Sequence, residues 1–577
     1  MKNLKELKPL WNLVKKEKFK IIVASILIFL CGLCEIFTGY LNGAALDEIT
    51  KLNVVNSLIY LGIYFGIGII ANSLLSVKAS VMFQKIENVI TRKLSFFTYK
   101  KSLDLPAYAY EKTSSGEIIN RITNDTDVIS SSFEQLVYIF SSLVGSIIIL
   151  IYIFFNSWII GVEIITFIII LFFIIRKYNP LLKNYHKEIR EENDNFTSMV
   201  TESIRGVREI KTLGIKNNVI KDVKEIIKSI YNKAIDGTNI WEKFTILTRI
   251  LKTTLEVLVF SSCVILVYYK QVSLTFFVAM TYYIYRYMYL IENINGLTQT
   301  YQRVIVSLSR VNDILGNRLY EDEKFGNKVL KKVKGVIEFK NVSFSYPNED
   351  IILNNFNLKL EPNKKIAIVG KSGQGKSTLF NLLTRVFDAN SGEILIDGIN
   401  IKDLTEESLR KNISIIRQEP FIFNRSIKDN FKLINSKISL SKIKQYSKIA
   451  YLDDYIESLP NKYDTIMGEG GVNLSGGQKQ RLSIARTLAK ESKIVLFDEA
   501  TSALDNNSQE HIKKAIDNLV KDHTVVIIAH RLSTIIDSDI IYVVNEGKIV
   551  ASGKHNELLS SNKIYRNLYE NEDEISE

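Results

Sequence analysis

Six apolar stretches, all within the first 295 residues, constrain this chain more than any other feature. They cover about 21–42, 58–77, 134–155, 157–175, 251–269 and 272–293. A helix needs roughly 20 mostly apolar residues to cross the hydrocarbon core of a bilayer, and each stretch is close to that length. No water reaches that core, so a spanning segment must satisfy its own backbone hydrogen bonds, which predicts six membrane helices. At 577 residues the chain is also too long for one ordinary domain. Beyond residue 295 the long apolar runs stop and a soluble pattern takes over.

Basic residues orient the spans. Lys2, Lys5, Lys8, Lys15, Lys16, Lys18 and Lys20 precede the first. Lys85, Arg92, Lys93, Lys100, Lys101, Lys112 and Arg121 follow the second, and the stretch after the fourth is similarly basic. The connections after spans one, three and five hold Lys51, no basic residue and Lys270. Basic loops stay on the cytoplasmic side, so a multi-pass protein of the cell inner or plasma membrane is expected, with both termini and the soluble half cytoplasmic. The net charge of +12 has the same origin, and no nucleic-acid partner is expected. Residues 4–16 form either a short amphipathic surface helix or a solvated one, and the N-terminus does not read as a cleavable signal. The three cysteines, Cys31, Cys34 and Cys263, lie inside apolar runs and read as small apolar fillers.

The polar stretches 78–130 and 176–250 read as span helices that continue into the cytoplasm. Each contains a turn, at Glu111–Glu117 and at Ser203–Glu209, which is either a plain loop or a short helix that docks on a soluble domain. Charges inside spans cost roughly 2.5–3.5 kcal/mol each near a helix centre. Glu35, Glu163, Glu256, Arg286 and Glu292 therefore need a reason, although Glu163 lies near a span end, within reach of water. Glu256 and Arg286 fall at similar depth. They form either a buried salt bridge with each other or part of a polar cavity wall, and the cavity is the preferred reading. Tyr282, Arg286, Tyr289 and Asn293 share one helical face, a candidate cargo-lining surface on which Arg286 favours an anionic group.

In the soluble half, Val336–Phe344 alternates like a strand, and Lys365–Val369 is a short apolar strand. It runs directly into Gly370-Lys371-Ser372-Gly373-Gln374-Gly375-Lys376-Ser377, which fits G-x-x-x-x-G-K-[ST], and a helix follows. Gly373 and Gly375 let backbone N–H groups approach phosphates, and the helix N-terminus adds positive potential. Lys376 is expected on the β- and γ-phosphates and Ser377 on Mg²⁺. Ile494–Phe497 is a second buried strand that ends in Asp498-Glu499, giving a magnesium-shell acid and a general base for ATP hydrolysis. A third strand, Thr524–Ala529, presents His530 at the end where such sheets bind ligands. Ser475 and Gln478 fit a helix capping box. Gly476-Gly477 in the first turn costs about 1 kcal/mol each against alanine, which makes sense where a helix start must come close to a second phosphate.

These motifs together resemble an ATP-binding-cassette (ABC) exporter half-transporter, and the resemblance covers nearly the whole chain. It implies a multi-domain fold. An all-α six-helix transmembrane domain of the type I exporter kind comes first. An α/β P-loop NTPase domain follows, with an antiparallel β-subdomain and a helical signature subdomain. The expected boundaries are 1–318 for the membrane domain, 319–335 for a linker and 336–577 for the nucleotide-binding domain. By resemblance, Tyr346 stacks on adenine, Gly370–Thr378 is Walker A, and Gln418 ligates magnesium. Gly468-Glu469-Gly470-Gly471 precedes the signature Leu474–Gln478, which contacts ATP held by a second chain. Asp498 and Glu499 are Walker B and the catalytic glutamate, Asp505 belongs to the D-loop, and His530 is the switch histidine. Residues 111–124 and 202–213 resemble coupling helices. Gly470 stands where many members have arginine.

The resemblance further implies ATP and Mg²⁺ as cofactors and ATP-driven export of a drug, lipid or peptide by alternating access. It implies dimerisation as well, with a homodimer favoured and a heterodimer the alternative. An importer of a metallophore or vitamin on the same fold, or a non-pumping regulatory member, are the competing readings.

Overall fold

The computed structural model describes residues 15, 17–113, 115–316, 323–347, 349–371, 373–468, 472, 474–498, 506–529 and 534–576, the side chains of 111, 112, 186, 288–299, 302, 506–508 and 571–576 excepted. The expected surface helix at 4–16 lies almost wholly outside these residues. The chain divides into two compact units. One comprises 1–103 and 116–318; the other comprises 104–115 and 319–577.

The first unit is all helix. In chain order it holds α1 (Lys18–Thr50) and α2 (Val54–Leu103). After α3 (Ala107–Lys112), which packs with the second unit, come α4 (Ser115–Asn156), α5 (Trp158–Arg205), α6 (Val207–Thr212), α7 (Lys216–Tyr268) and α8 (Leu274–Leu315). Among the described residues, five helices are long and apolar enough to cross a membrane: α1, α2, α4, α5 and α7. The sixth predicted stretch lies on α8. The continuations of the span helices anticipated from the sequence are present as unbroken helix, 48 residues in α5 and 53 in α7. Caps mark two starts: Asn53 accepts from the Asn56 N–H at 3.2 Å, and Ser273 accepts from the Phe276 N–H at 3.1 Å. Two π-helical steps interrupt the regular winding, at Ile70–Ser76 in α2 and at Arg121–Asp125 in α4.

Lipid tails are as apolar as leucine, so membrane helices associate through close packing at small residues. α1 uses this device against α8. A methyl group on Gly39 would lie 2.9 Å from the rings of Tyr282 and Tyr283, and one on Gly43 would lie 2.2 Å from the Thr275 carbonyl oxygen. The two tyrosines buried on α8 satisfy their hydroxyls on backbone carbonyls: Tyr283 donates to Ile36 at 3.0 Å and Tyr287 to Ser146 at 2.6 Å. Cys31 is a buried filler whose thiol faces the Ala71 carbonyl at 3.4 Å.

The second unit contains two sheets. β1 (Ile337–Ser345), β2 (Ile351–Leu360), β4 (Ser391–Ile396) and β5 (Ile399–Asn400) form an antiparallel sheet in the order β2-β1-β4-β5. The larger sheet has the order β10-β9-β3-β8-β7-β6. Its strands are β3 (Lys365–Val369), β6 (Ile413–Ile416), β7 (Ile494–Asp498), β8 (Thr524–Ile528), β9 (Ile540–Asn545) and β10 (Lys548–Gly553). Its five strands from β9 to β6 run parallel. β3, β7 and β8 are continuous apolar runs because helices and the other sheet cover both faces. One hydrophobic core gathers Ile366, Ile368, Leu496 and Val526 with the antiparallel sheet; another gathers Ala367, Val369, Val495 and Phe497 with the helical residues 427–489. Tyr108 on α3 joins the first of these cores, its ring 6.3 Å from that of Phe387. The short helix α3 thus packs within the second unit and ends at the start of the first turn flagged in the sequence. The second turn, at Gly206, separates α5 from α6, which buries none of its residues.

Candidate functional site

The loop between β3 and α9 (Lys376–Leu383) leaves the sheet at the carboxyl end of its parallel strands, where ligands bind in such folds. Its glycines are required by geometry. Gly375 has φ +82° and a methyl there would lie 2.7 Å from Ile352, while one on Gly370 would lie 2.3 Å from the Val544 carbonyl oxygen. The close approaches at Gly370 and Gly375 leave no room for a side chain there. The Lys376 ammonium donates to the carbonyls of Gly370 at 2.7 Å and Lys371 at 2.8 Å, so the side chain arches back over the loop. Gln374, unremarked in the sequence, accepts from the Glu546 N–H and ties the loop to the β9–β10 turn.

Ser377 opens α9 and Asp498 closes β7. Their side chains meet at 3.0 Å, Ser377 Oγ donating to Asp498 Oδ1, although 121 positions separate them. A hydroxyl and a carboxylate brought together beside a phosphate-type loop form an oxygen donor set suited to a hard divalent cation, so the residues present fit Mg²⁺. Thr378 Oγ1 lies 3.3 Å from the Tyr346 hydroxyl, which also accepts from Asn381 Nδ2 at 3.2 Å. The Tyr346 ring is held edge-on by Phe344 and by Phe387, each with centroids 5.0 Å away. The hydroxyl is anchored and the ring fixed, as a stacking platform requires.

Helix α10 (Gly476–Lys490) begins with the expected capping box. Ser475 Oγ accepts from the Gln478 N–H at 3.3 Å, and Gln478 Oε1 accepts from the Ser475 N–H at 2.8 Å. Ser475 is exposed and Gln478 half-buried. Gln480, which no sequence pattern singled out, donates to the Gln418 carbonyl at 3.1 Å and ties that backbone segment to this helix. Burial pulls down the pKa of two cations further along α10: Arg486, and Lys490, which falls to about 8 with Arg410 adding to the effect. The Lys490 ammonium donates to the Ile413 carbonyl at 2.7 Å. Ser372, Glu499, Asp505 and His530 lie outside the described residues, as does Gly470.

In the membrane unit Arg286 does not pair with Glu256, the partner that the alternative to the cavity reading gave it. Arg286 Nη1 contacts Glu35 Oε2 on α1 at 2.6 Å instead. Residue counting gives depth but not which helices are neighbours, and α8 packs along α1 through the glycine stripe. The guanidinium fits because Gly32 and Gly145 leave space: methyls there would lie 3.5 and 3.1 Å from its Nη2. Glu256 Oε1 is buried without a hydrogen-bond partner among the described residues. Glu163 does not simply reach water, since its Oε1 accepts from Ser262 at 2.6 Å. Tyr282 is partly exposed on α8, whereas the side chains of Tyr289 and Asn293 lie outside the described residues.

Comparison with known proteins extends this picture to the whole chain. The family model for the ABC transporter transmembrane region matches residues 21–290, and that for the ABC transporter matches residues 353–502. The ATP-dependent lipid A-core flippase of Haemophilus influenzae (strain 86-028NP) is 30% identical over 580 residues, covering 98% of this chain and 97% of the relative. The flippase of the same description from Escherichia coli (strain K12) is 30% identical over 566 residues, covering 97% and 96%. Among solved structures, a bacterial Atm1-family ABC exporter with ATP bound superposes with a TM-score of 0.81 at 24% identity, covering 96% of this chain and 99% of that one.

Proposed function

Since the chain belongs to the ABC transporter family, as a multi-pass membrane half-transporter that couples ATP hydrolysis to transport, we propose that two copies of it move an amphipathic, lipid-like molecule outward across the cytoplasmic membrane. The observation that carries this reading is the junction of Lys376, Ser377 and Asp498 at the end of the parallel sheet, in a chain that also holds five long apolar helices. The lipid A-core flippases among its relatives support a lipid-like cargo. The basic residues flanking the spans support a cytoplasmic location for both termini and for the ATP-binding unit.

The chemistry divides among this chain's own residues. Tyr346 stacks on adenine, with its hydroxyl held by Thr378 and Asn381. The amides of Gly370 to Thr378, Ser372 included, cradle the phosphates, and Lys376 swings from the loop carbonyls onto the β- and γ-oxygens. Ser377, Asp498 and Gln418 hold Mg²⁺, which when bound neutralises charge building on the phosphates. Glu499 follows Asp498 directly and orients and deprotonates the attacking water; His530 holds the γ-phosphate. Ser475, Gly476, Gly477 and Gln478 of one copy, with Asp505, close on the nucleotide of the other. That division of labour makes a single copy incomplete and a symmetric pair sufficient. Tyr282, Tyr289 and Glu256 face the cargo, with Arg286 acting as a neutral pair with Glu35.

The test is Mg-ATPase activity of the purified chain in lipid nanodiscs beside Glu499→Gln, together with flipping of a fluorescent phospholipid in proteoliposomes. Activity and flipping that both vanish in Glu499→Gln are expected. ATP binding without hydrolysis by the chain alone would overturn the homodimer.

A further inference from the structure

The Tyr346 ring is the end of a row of aromatic side chains that begins far from the nucleotide motifs. Phe387 lies just beyond the C-terminal end of α9 and is buried. Its ring meets that of Tyr346 edge-on at 5.0 Å and that of Phe344 at 5.9 Å. Tyr108 stacks along it, with centroids 6.3 Å apart and 29° between the planes. Tyr108 belongs to α3, on the 104–115 segment that stands between α2 and α4 in the chain yet packs with the second unit. Leu105 and Ala109 on either side of it are buried, which seats the segment. None of the sequence motifs includes Tyr108.

Phe387 is also tied to the anchor of the Tyr346 hydroxyl. The Asn381 carbonyl accepts from the N–H groups of Val386 at 2.9 Å and Phe387 at 3.4 Å, while the Asn381 side-chain amide donates to the Tyr346 hydroxyl at 3.2 Å. Hydrogen bonds therefore fix the backbone at Phe387, but a phenyl ring makes none of its own, and its orientation is set by packing. Removing a packed ring leaves a void into which its neighbour can turn. Aromatic pairs gain their extra stabilisation only in particular orientations, so a turn of Phe387 is felt at Tyr346.

We infer that Tyr108 is a positioning residue of the ATP site: it holds the Phe387 ring, which in turn holds the Tyr346 ring in place for the base. It acts through Phe387 and not on the nucleotide. The inference rests on the reading of Tyr346 as the adenine platform, and it adds to that platform a support drawn from between two long apolar helices in the chain.

The test is the KM for ATP of the full-length protein in nanodiscs, measured for wild type, Tyr108→Ala, Tyr346→Ala and the double substitution. Tyr108→Ala is expected to raise KM about fourfold, and Tyr108→Phe, which keeps the ring, to match wild type. Packing loss that merely weakens the protein would raise KM with or without the platform. Action through Tyr346 predicts otherwise: in the Tyr346→Ala background, Tyr108→Ala is expected to change KM by less than about 1.5-fold. An undiminished effect in that background, or a wild-type KM in Tyr108→Ala, overturns the inference. If Tyr108→Ala does not fold, Tyr108→Leu, which keeps apolar bulk without a ring, takes its place with the same expectations. A wild-type KM in Tyr346→Ala is a different outcome, which removes the adenine platform itself. Tyr346→Ala that raises KM beside a silent Tyr108→Ala leaves the platform standing and removes only its support.

Discussion

Arg286 Nη1 and Glu35 Oε2 lie 2.6 Å apart, joining α8 to α1 inside the membrane unit. Removing one member of such a pair leaves the other uncompensated, which typically costs about 3–5 kcal/mol, whereas removing both is far milder. Arg286→Met and Glu35→Met are each expected to destabilise the protein clearly, and the double substitution to recover most of the loss. Thermal unfolding of the four proteins in one detergent checks this, and additive losses would contradict it. Because the arginine is already neutralised, Arg286→Met is also expected to weaken stimulation by anionic and neutral amphipaths equally, contrary to the preference for anions read from sequence.

Ser377 and Asp498 share one hydrogen bond and, in the proposed mechanism, one cation. Loss of a metal ligand or its close support costs about 10–100-fold in metal affinity. Ser377→Ala is expected to raise the Mg²⁺ concentration needed for half-maximal ATPase by that factor, with the fold unchanged by circular dichroism. An unchanged magnesium titration would remove Ser377 from the metal site.

Tyr346 separates stacking from hydrogen bonding. Tyr346→Phe keeps the ring between Phe344 and Phe387 and loses only the contacts to Thr378 and Asn381. It is expected to raise the KM for ATP by less than about threefold, whereas Tyr346→Ala loses the platform, worth about 1–3 kcal/mol, and raises KM about tenfold or more. Steady-state kinetics over a range of ATP distinguish the two; kcat is expected to change little in either.

Gly375 tests the loop geometry. At φ +82°, with Ile352 2.7 Å from any added methyl, Gly375→Ala cannot keep the loop in place. ATP binding is expected to fall at least about 100-fold, from left-handed backbone strain combined with the clash, while the unfolding midpoint shifts little. Nucleotide binding measured by fluorescence quenching gives the answer directly.

Lys490 gives the pH dependence its sign. Burial holds its folded-state pKa near 8, against 10.5 for the exposed side chain. Below pH 8 both states carry the proton and the folded state bears the cost of the buried charge. Between pH 8 and 10.5 the unfolded chain binds more protons than the folded one, so the Lys490 contribution to stability rises with pH, by about 3 kcal/mol in all. Lys490→Met removes the cost at neutral pH and flattens this contribution. Denaturant unfolding of wild type and variant at pH 7 and pH 10 measures it, and a difference that does not shrink with rising pH would refute it.

Local chemistry made much of the molecule legible before folding was considered. Apolar length marks the spans, because the bilayer fixes how far a helix must reach. The strand, glycine loop and helix around Gly370–Ser377 follow from residues adjacent in the chain, and the Ser475–Gln478 cap needs only a spacing of three. What the sequence alone left open was partnership across long separations. Depth counting offered Glu256 as one possible partner for Arg286, but the glycine stripe of α1 brings Glu35 to it. Ser377 meets Asp498 and Gln480 meets Gln418 only because the parallel sheet and α10 bring distant segments together. Neither composition nor periodicity marks the π step at Arg121–Asp125. Periodicity reports which face of an element is apolar; which face of another element it meets, and at what register, is set by packing, and that only the tertiary structure decided.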